Sequence, residues 1–265
     1  MYQTKYHRPA NVADALSMLG AAEDGKFLAG GQTLLATMKQ RLAAPTDLVD
    51  LRGIDGMSGI AVDGASVTIG ATTTHAEVAA SRDVAGAIPA LAALAAHIGD
   101  PAVRHVGTIG GSLANNDPAA DYPTAVLGLN GTIITDQREI PAEDYFLGLF
   151  TTALEEGEII KAIRFPRPKR AAYQKFPQPA SRFALVGVLV AETADGIRVA
   201  VTGAGSDGVF RVEAIEEALS GDFSAAALNG VSVDAEGLMG DIHATPEYRA
   251  HLIRVLAQRA VTAAG

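Results

Sequence analysis

Residues 107–123 read Gly-Thr-Ile-Gly-Gly-Ser-Leu-Ala-Asn-Asn-Asp-Pro-Ala-Ala-Asp-Tyr-Pro, and this stretch decides how the rest of the chain is interpreted. Two adjacent glycines stand between hydroxyl residues, and a polar run of Asn, Asn, Asp and Pro follows. Because neither a helical nor a strand pattern runs through the stretch, it is predicted to be a shaped loop. Adjacent glycines let a backbone approach a ligand closely and point consecutive N–H groups the same way.

A second pair of glycines lies upstream, in Leu28-Ala29-Gly30-Gly31-Gln32-Thr33-Leu34-Leu35. The pattern around it predicts a strand over 26–29, a glycine turn, and a helix over 33–42. The start of a helix favours an anion, because its free N–H groups and its dipole point into the turn. The turn contains no Lys or Arg, so backbone amides would have to contact a phosphate. Two such segments suggest one ligand held from two sides.

Structural explanations remain open for both segments. Gly30-Gly31 is also compatible with a plain strand-to-helix turn, and residues 108–121 with a loop of Asx turns. Asp121 is suited to accept a hydrogen bond from sugar hydroxyls or an adenine amine, and equally to cap a helix that begins near Tyr122. Neither segment is Gly-x-Gly-x-x-Gly or a Walker loop, which disfavours a Rossmann or kinase interpretation.

Composition excludes several function classes. The chain has 265 residues, a net charge of −9, no cysteine and no tryptophan. Without cysteine it can form no disulfide, use no catalytic thiolate and hold no iron–sulfur cluster through its own thiolates. Its six histidines are scattered without metal-ligand spacing, so no metal site is expected. No basic stripe indicates nucleic acid, no apolar run is long enough to span a membrane, and the first residues lack an apolar signal region, so a cytoplasmic location is expected.

Pro166-Arg167-Pro168 is the strongest boundary signal. Before it, the pattern predicts strands at 47–50, 60–62, 66–70, 132–135 and 158–165, and helices at 11–20, 74–80, 88–98 and 142–149. After it, strand-like segments at 173–176, 183–192, 197–202 and 209–211 precede a helix over 247–263, which indicates a compact α+β unit. His97 and His105 flank the 107–123 stretch and are candidate bases, although surface or core histidines explain them as well.

The glycine segments resemble a known family. Ala29-Gly30-Gly31-Gln32-Thr33-Leu34 and Thr108-Ile109-Gly110-Gly111-Ser112-Leu113-Ala114, with Asp117-Pro118-Ala119 and Asp121, look like the two FAD-binding motifs of molybdenum hydroxylase flavoprotein subunits. These are the medium subunits of carbon monoxide dehydrogenase-type enzymes, related to the FAD domain of xanthine dehydrogenase. Residues 181–188 and 203–211 resemble the same family, so the resemblance spans essentially the whole chain.

The resemblance implies an α+β fold: a two-lobed FAD-binding module of the vanillyl-alcohol-oxidase (PCMH) type, with subdomains at 1–55 and 56–168, and a small α+β C-terminal domain at 169–265. It implies that 29–33 and 108–112 wrap the FAD pyrophosphate, that Asp121 holds the ribityl or adenosine hydroxyl region, and that Ile160 and Lys175 lie near the flavin. The candidate cofactor-binding residues are Ala29, Gly30, Gly31, Gln32, Thr33, Leu34, Thr108, Ile109, Gly110, Gly111, Ser112, Asn115, Asp121, Ile160 and Lys175. No acid–base catalytic residue is expected.

The resemblance also implies partners. A small [2Fe–2S] subunit and a large molybdopterin subunit would complete a heterotrimer, and two heterotrimers would form a dimer. Electrons would pass from molybdenum through the clusters to FAD and on to an external acceptor. Two alternatives remain: a stand-alone FAD-dependent oxidase or reductase of the same fold, and a non-redox nucleotide-binding or scaffold protein.

Overall fold

The computed structural model describes all 265 residues and contains three main β-sheets and a small hairpin. The strands are β1 (Lys5–His7), β2 (Gly25–Leu28), β3 (Asp47–Asp50), β4 (Ile60–Val62), β5 (Ser66–Gly70), β6 (Thr132–Thr135), β7 (Glu139–Pro141), β8 (Phe146–Gly148), β9 (Thr151–Thr152), β10 (Ile160–Pro166), β11 (Arg170–Pro177), β12 (Ala184–Thr193), β13 (Gly196–Gly205) and β14 (Gly208–Arg211). The helices are α1 (Val12–Gly20), α2 (Leu34–Lys39), α3 (His75–Ala80), α4 (Arg82–Ala87), α5 (Pro89–Ala96), α6 (Pro101–Val106), α7 (Ile109–Asn115), α8 (Tyr122–Gly128), α9 (Ala142–Tyr145), α10 (Glu213–Gly221) and α11 (Pro246–Ala264). Short 3-10 helices span Leu51–Gly53 and Ala225–Leu228.

The first sheet is parallel, has the order β1-β3-β2, and positions the first glycine segment. All four residues of its central strand β3 are buried. Strand β2 ends at Leu28, and α2 begins at Leu34, so the Gly30-Gly31 turn links a strand to a helix as predicted. The helix is shorter than the predicted 33–42, because Arg41 has a left-handed backbone with φ of 62°.

The second sheet is antiparallel, with the order β4-β5-β10-β6-β7, and it carries the second glycine segment in a long insertion. The predicted hairpin of β4 and β5 is confirmed, with Val62 opposite Val67. Between β5 and β6 the chain forms helices α3 to α8. The insertion returns to the sheet through β6, which pairs with β10. The second glycine segment is therefore fixed by helices packed beside this sheet.

The third sheet is an antiparallel meander, β11-β12-β13-β14, with α10 and α11 packed against it. Strand β12 separates two hydrophobic cores, because its side chains alternate between them. Leu189 and Ala191 belong to the larger core, whereas Val188 and Val190 belong to the smaller core under α10 and α11. The strands predicted after residue 168 are all present.

Several sequence predictions are wrong in detail. The 107–123 stretch is not one loop, because residues 109–115 and 122–128 are the helices α7 and α8. The Thr108 side chain caps α7, and burial of Ile109 and Leu113 offsets the low helix propensity of the two glycines. The helix predicted over 142–149 stops at Tyr145 and gives way to the β8–β9 hairpin. Helices α4 and α6 have no counterpart among the predicted elements.

The length and hydropathy of the helices bear on membrane insertion. No helix combines the length and the apolar character that crossing a membrane requires.

Candidate functional site

One cavity of about 570 Å³ brings the two glycine segments together. Thirteen of the fifteen candidate residues line it; they are Ala29, Gly30, Gly31, Gln32, Thr33, Leu34, Thr108, Gly110, Gly111, Ser112, Asn115, Asp121 and Ile160. The other two do not line it. Ile109 is fully buried in the larger core, and Lys175 reaches the site only through an ion pair with Asp121.

The two glycine segments pack directly against each other at Gly30. A Cβ atom on Gly30 would overlap the carbonyl oxygen of Val106 and lie 2.7 Å from the Cα atom of Gly107. The next residue, Gly31, has a φ of 67°, a conformation that side chains other than glycine rarely adopt. The first glycine pair is therefore required both by the close approach of two backbones and by the turn itself.

The first glycine segment has free backbone donors. The amide N–H groups of residues 30–34 donate no hydrogen bond to any group of the chain. Thr33 lies at the start of α2, but its side chain makes no capping hydrogen bond. Five consecutive unpaired amides at the wall of a cavity form a site that favours an anion with several oxygen acceptors.

The second glycine segment differs, because its amides are already used within the chain. The N–H of Ile109 donates to Thr73 O at 3.2 Å, and that of Gly110 donates to Ala71 O at 2.8 Å. The N–H of Gly111 donates to the Thr108 hydroxyl at 3.2 Å. The second segment therefore presents mainly its side chains, Ser112 and Asn115, to the cavity. The two segments have similar sequences but different hydrogen-bonding capacity.

Asp121 is a buried carboxylate in the cavity wall, held by two side chains of β11. Tyr173 donates its hydroxyl hydrogen to Asp121 Oδ1 at 2.5 Å, and Lys175 Nζ lies 2.9 Å from Oδ2. Burial raises the pKa of the Asp121 carboxyl, and the charge of Lys175 and the hydrogen bond from Tyr173 act in the opposite direction. Asp121 makes no capping hydrogen bond to α8, so the helix-cap interpretation is wrong.

The functional histidine candidates are not the ones that the sequence suggests. His97 and His105 are exposed, whereas His75 is buried and lines the cavity. Burial lowers the pKa of His75 to about 4, with a smaller contribution from the charge of Arg104, so its ring is neutral at physiological pH. The only sequence signal for His75 is its place in the first turn of a helix that Thr74 caps.

Sequence reasoning also misses Tyr173 and the cavity mouth. Tyr173 and Lys175 are two residues apart on β11 and so share one face of the sheet. The sequence pattern predicts the strand, but it gives no signal that this face meets Asp121. Ser181, Arg182 and Phe183 line the mouth, although Arg182 reads in the sequence as an ordinary surface charge. No group of three or more His, Asp or Glu side chains is placed to hold a metal ion.

Comparisons with known proteins identify relatives along the whole chain. A family model described as the FAD binding domain in molybdopterin dehydrogenase matches residues 2–168. The nicotine 6-hydroxylase medium subunit of Paenarthrobacter nicotinovorans is 36% identical, with 98% of this chain and 97% of the relative aligned. The carbon monoxide dehydrogenase medium chain of Afipia carboxidovorans is 34% identical over 97% of this chain and 94% of its own.

The fold agrees with a solved relative. Carbon monoxide dehydrogenase from Hydrogenophaga pseudoflava, in a form that lacks the Mo-pyranopterin moiety of the molybdenum cofactor, superposes with a TM-score of 0.89 at 33% identity. The match covers 99% of this chain and 97% of that chain. The mixed helix-and-strand architecture is therefore shared over the full length.

Proposed function

The chain belongs to the family of FAD-binding domains in molybdopterin dehydrogenases, and on this basis we propose that it relays electrons from the [2Fe–2S] clusters of a partner subunit to an external acceptor. It is an oxidoreductase subunit that carries an FAD-binding domain of the molybdenum hydroxylase type. The observation that carries the proposal is the run of free amides at 30–34 in a cavity that also contains the second glycine segment.

The residues of the cavity fit FAD. The volume of the cavity lies in the range of roughly 300–1,000 Å³ that is typical of ligand pockets. The unpaired amides of 30–34 suit the pyrophosphate oxygens, and a Cβ on Gly30 would disrupt the contact between the two segments that shape this wall. We assign Ser112, Asn115 and Asp121 to the polar groups of the ribityl or adenosine part. The flavin region is assigned to Ile160, with Lys175 acting behind Asp121.

Bound FAD would supply the redox chemistry, because a flavin accepts electrons singly and passes on a pair. The chain's own residues bind and orient it. Buried groups such as Ile159 and Ile160 would exclude water from their wall of the cavity. No side chain is assigned an acid–base step, since the neutral His75 has no carboxylate partner.

We further propose that the chain works in a heterotrimer with a small [2Fe–2S] subunit and a large molybdopterin subunit, two heterotrimers forming a dimer. The chain has no cysteine to hold a cluster, so a donor cluster must be on another chain. The relatives named medium subunit and medium chain support an assembly with at least two other kinds of subunit. The substrate would be oxidised on the molybdopterin subunit, with water as the oxygen source.

We also propose the domain limits 1–55, 56–168 and 169–265, with the first two forming a two-lobed module of the PCMH type. Each of the three main sheets falls within one of these ranges, which supports the division. The family model ends at residue 168, directly before β11.

Purification tests the proposal. The protein expressed with the genes beside its own should be yellow, show flavin absorbance, release FAD on denaturation, and co-purify with an iron–sulfur and a molybdopterin subunit. A colourless protein that does not bind added FAD would refute the FAD assignment. Full substrate oxidation by the chain alone would instead favour a stand-alone flavin enzyme.

A further inference from the structure

We propose that Tyr173 is a positioning residue of the cofactor site: its hydroxyl fixes Asp121 so that the free lone pairs of this carboxylate face the cavity and accept a hydrogen bond from the bound FAD. The proposal rests on the FAD assignment above and goes beyond it, since Tyr173 lies outside the part of the chain that the family model matches.

The lone pairs of Asp121 can be counted. An ionised carboxylate has about four acceptor positions. Tyr173 Oη occupies one position on Oδ1 at 2.5 Å, and Lys175 Nζ occupies one on Oδ2 at 2.9 Å. The remaining positions belong to a carboxylate that lines the cavity, so they are available to a hydroxyl or amino donor of a ligand.

The neighbouring strand β12 has a glycine, Gly187, where the Tyr173 hydroxyl lies. Gly187 pairs with Lys175 across β11 and β12, and a Cβ atom on Gly187 would overlap Tyr173 Oη. The same Cβ would lie 2.9 Å from Thr202 Cγ2 and 3.0 Å from Tyr173 Cζ, so a side chain at position 187 would displace the tyrosine ring or its neighbours. The absence of a side chain at 187 thus leaves room for this one oxygen atom beside Asp121.

Both donors favour the ionised form of the Asp121 carboxyl, against the effect of burial. Asp121 is 4% exposed and Tyr173 is 5% exposed, and desolvation disfavours a charge there. The charged and titratable groups that face Asp121 are Lys175 and Tyr173 from β11, His97 at the end of α5, and Tyr122, the next residue on α8. Because Lys175 also donates to His97 O at 3.1 Å, it cannot give all its hydrogen bonds to the carboxylate.

The test is FAD binding by the full chain. The cofactor is removed, and the dissociation constant is measured by quenching of flavin fluorescence at a series of pH values from about 5 to about 8, because the charge of a buried carboxyl with a raised pKa depends on pH. Tyr173→Phe should bind FAD about tenfold more weakly, and the loss of affinity on acidification should begin about one pH unit higher. The direction follows because removing a donor to the ionised form raises the pKa of Asp121.

Three further substitutions distinguish the possible explanations of the result. Gly187→Ala reaches the same hydroxyl from the other strand, so it should shift the pH profile in the same direction even if Tyr173→Phe folds poorly. Tyr145→Phe is the matched control, because it removes another buried hydroxyl, which bonds to Leu113 O at 3.2 Å. It should keep the wild-type profile. Repeating the comparison in a His97→Gln background removes the contribution of the nearby histidine charge.

The outcomes separate this proposal from the FAD assignment. A wild-type pH profile in Tyr173→Phe and Gly187→Ala would overturn the proposal, whether or not Asp121→Asn loses FAD. A wild-type chain that binds no FAD at any pH would refute the assignment itself.

Discussion

Gly30 and Gly86 differ in the space that is available for a side chain. Gly30 lies against the backbone of Val106 and Gly107, where no atom can move aside cheaply. Gly86 lies within α4 with no atom within 4 Å of the position that a Cβ would occupy. The same replacement by alanine should therefore have opposite effects at the two sites.

Gly30→Ala should destabilise the fold by about 1–3 kcal/mol and abolish FAD retention, because the added Cβ forces the two glycine segments apart. Gly86→Ala should stabilise the fold by about 0.5–1 kcal/mol, because alanine favours a helix, and should leave FAD binding unchanged. For both variants, urea denaturation measures the change in stability, and the flavin content of the purified protein measures FAD retention. Normal flavin content in Gly30→Ala would contradict the close packing of the two segments.

At the residue scale, the sequence identifies which residues line the cavity better than it predicts which hydrogen bonds each of them makes. The glycine pairs can be located from their neighbours, and thirteen of the fifteen candidates line the cavity. Which amides are free cannot be predicted, because the bonds that occupy the second segment come from Ala71 and Thr73, remote in sequence. Asp121 is among the predicted residues, but its partners Tyr173 and Lys175 depend on where β11, more than fifty residues later in the chain, lies relative to the start of α8.

Among the elements, the β8–β9 hairpin is held by one buried side chain. Asn116 ends α7 in a left-handed conformation with φ of 43°, and its Nδ2 donates to Gly148 O and to Thr151 O, both at 2.9 Å. Phe150 at the tip is also left-handed, with φ of 52°, and its N–H donates to Asn116 O. The hairpin is thus fixed to the helix that contains the second glycine pair.

Asn116→Gly should cost about 1–3 kcal/mol, since two carbonyl groups lose their donor, and Asn116→Ala about 1 kcal/mol more, because alanine resists the left-handed backbone. Hydrogen exchange of residues 146–152 should accelerate in both variants. Equal stability of the two variants would show that the backbone conformation at 116 contributes nothing.

A second element-scale feature is the buried carboxylate of Glu158, which binds the β6–β7 hairpin to the start of β10. It accepts hydrogen bonds from Arg138 Nε at 3.0 Å and from the Thr135 hydroxyl at 2.7 Å. These donors lower the pKa of Glu158 from 4.5 to about 2, the bond from Arg138 being the largest cause.

Glu158 should therefore contribute about 2 kcal/mol of stability, after allowance for the partly exposed Arg138. Because the pKa of the folded state is the lower one, this contribution is complete above about pH 5 and is lost as the pH falls towards about 2. Glu158→Gln should lower stability at about pH 7 and flatten its decline below about pH 5, as measured by urea denaturation. Glu139→Gln, which breaks the exposed ion pair with Arg164, is the control. It should change neither the stability near neutral pH nor the decline of stability in acid.

Strands are predicted more accurately than helices. The β4–β5 hairpin and the four strands after residue 168 follow alternating or continuous apolar patterns, which local sequence carries. Helix α7 cannot be predicted, because its glycines oppose helix formation and only the Thr108 cap and the burial of Leu113 stabilise it. The predicted helix over 142–149 does not extend past Tyr145, because the following residues form a hairpin that hydrogen bonds from Asn116 stabilise.

For the molecule as a whole, β12 makes the sheet after residue 168 inseparable from the part before it. Tyr173, Leu189 and Ala200 belong to the larger core together with residues such as Ile69 and Leu113. Arg198 of β13 reinforces this contact by donating to Leu127 O from Nη2 at 2.8 Å. A boundary in sequence is therefore not a boundary in packing, which the Pro-Arg-Pro signal could not reveal.

We expect a single unfolding transition. Far-UV circular dichroism and tyrosine fluorescence, which no tryptophan obscures, should give coincident urea curves. Saturating FAD at about a hundred times its dissociation constant should shift both curves together by about 2.7 kcal/mol. Two separated transitions, or a shift of only one probe, would contradict a shared core.

The position of Tyr173 and Lys175 behind Asp121 also sets an order of events during synthesis. A chain emerging from the ribosome displays both glycine segments before the strand that fixes Asp121 exists, and before Ser181–Phe183 can form the mouth of the cavity. At about 5–20 residues per second, several seconds at least separate the second glycine segment from the end of the chain. We therefore expect a chain truncated before β11 to bind FAD more weakly than the full chain, because it lacks both side chains that hold Asp121.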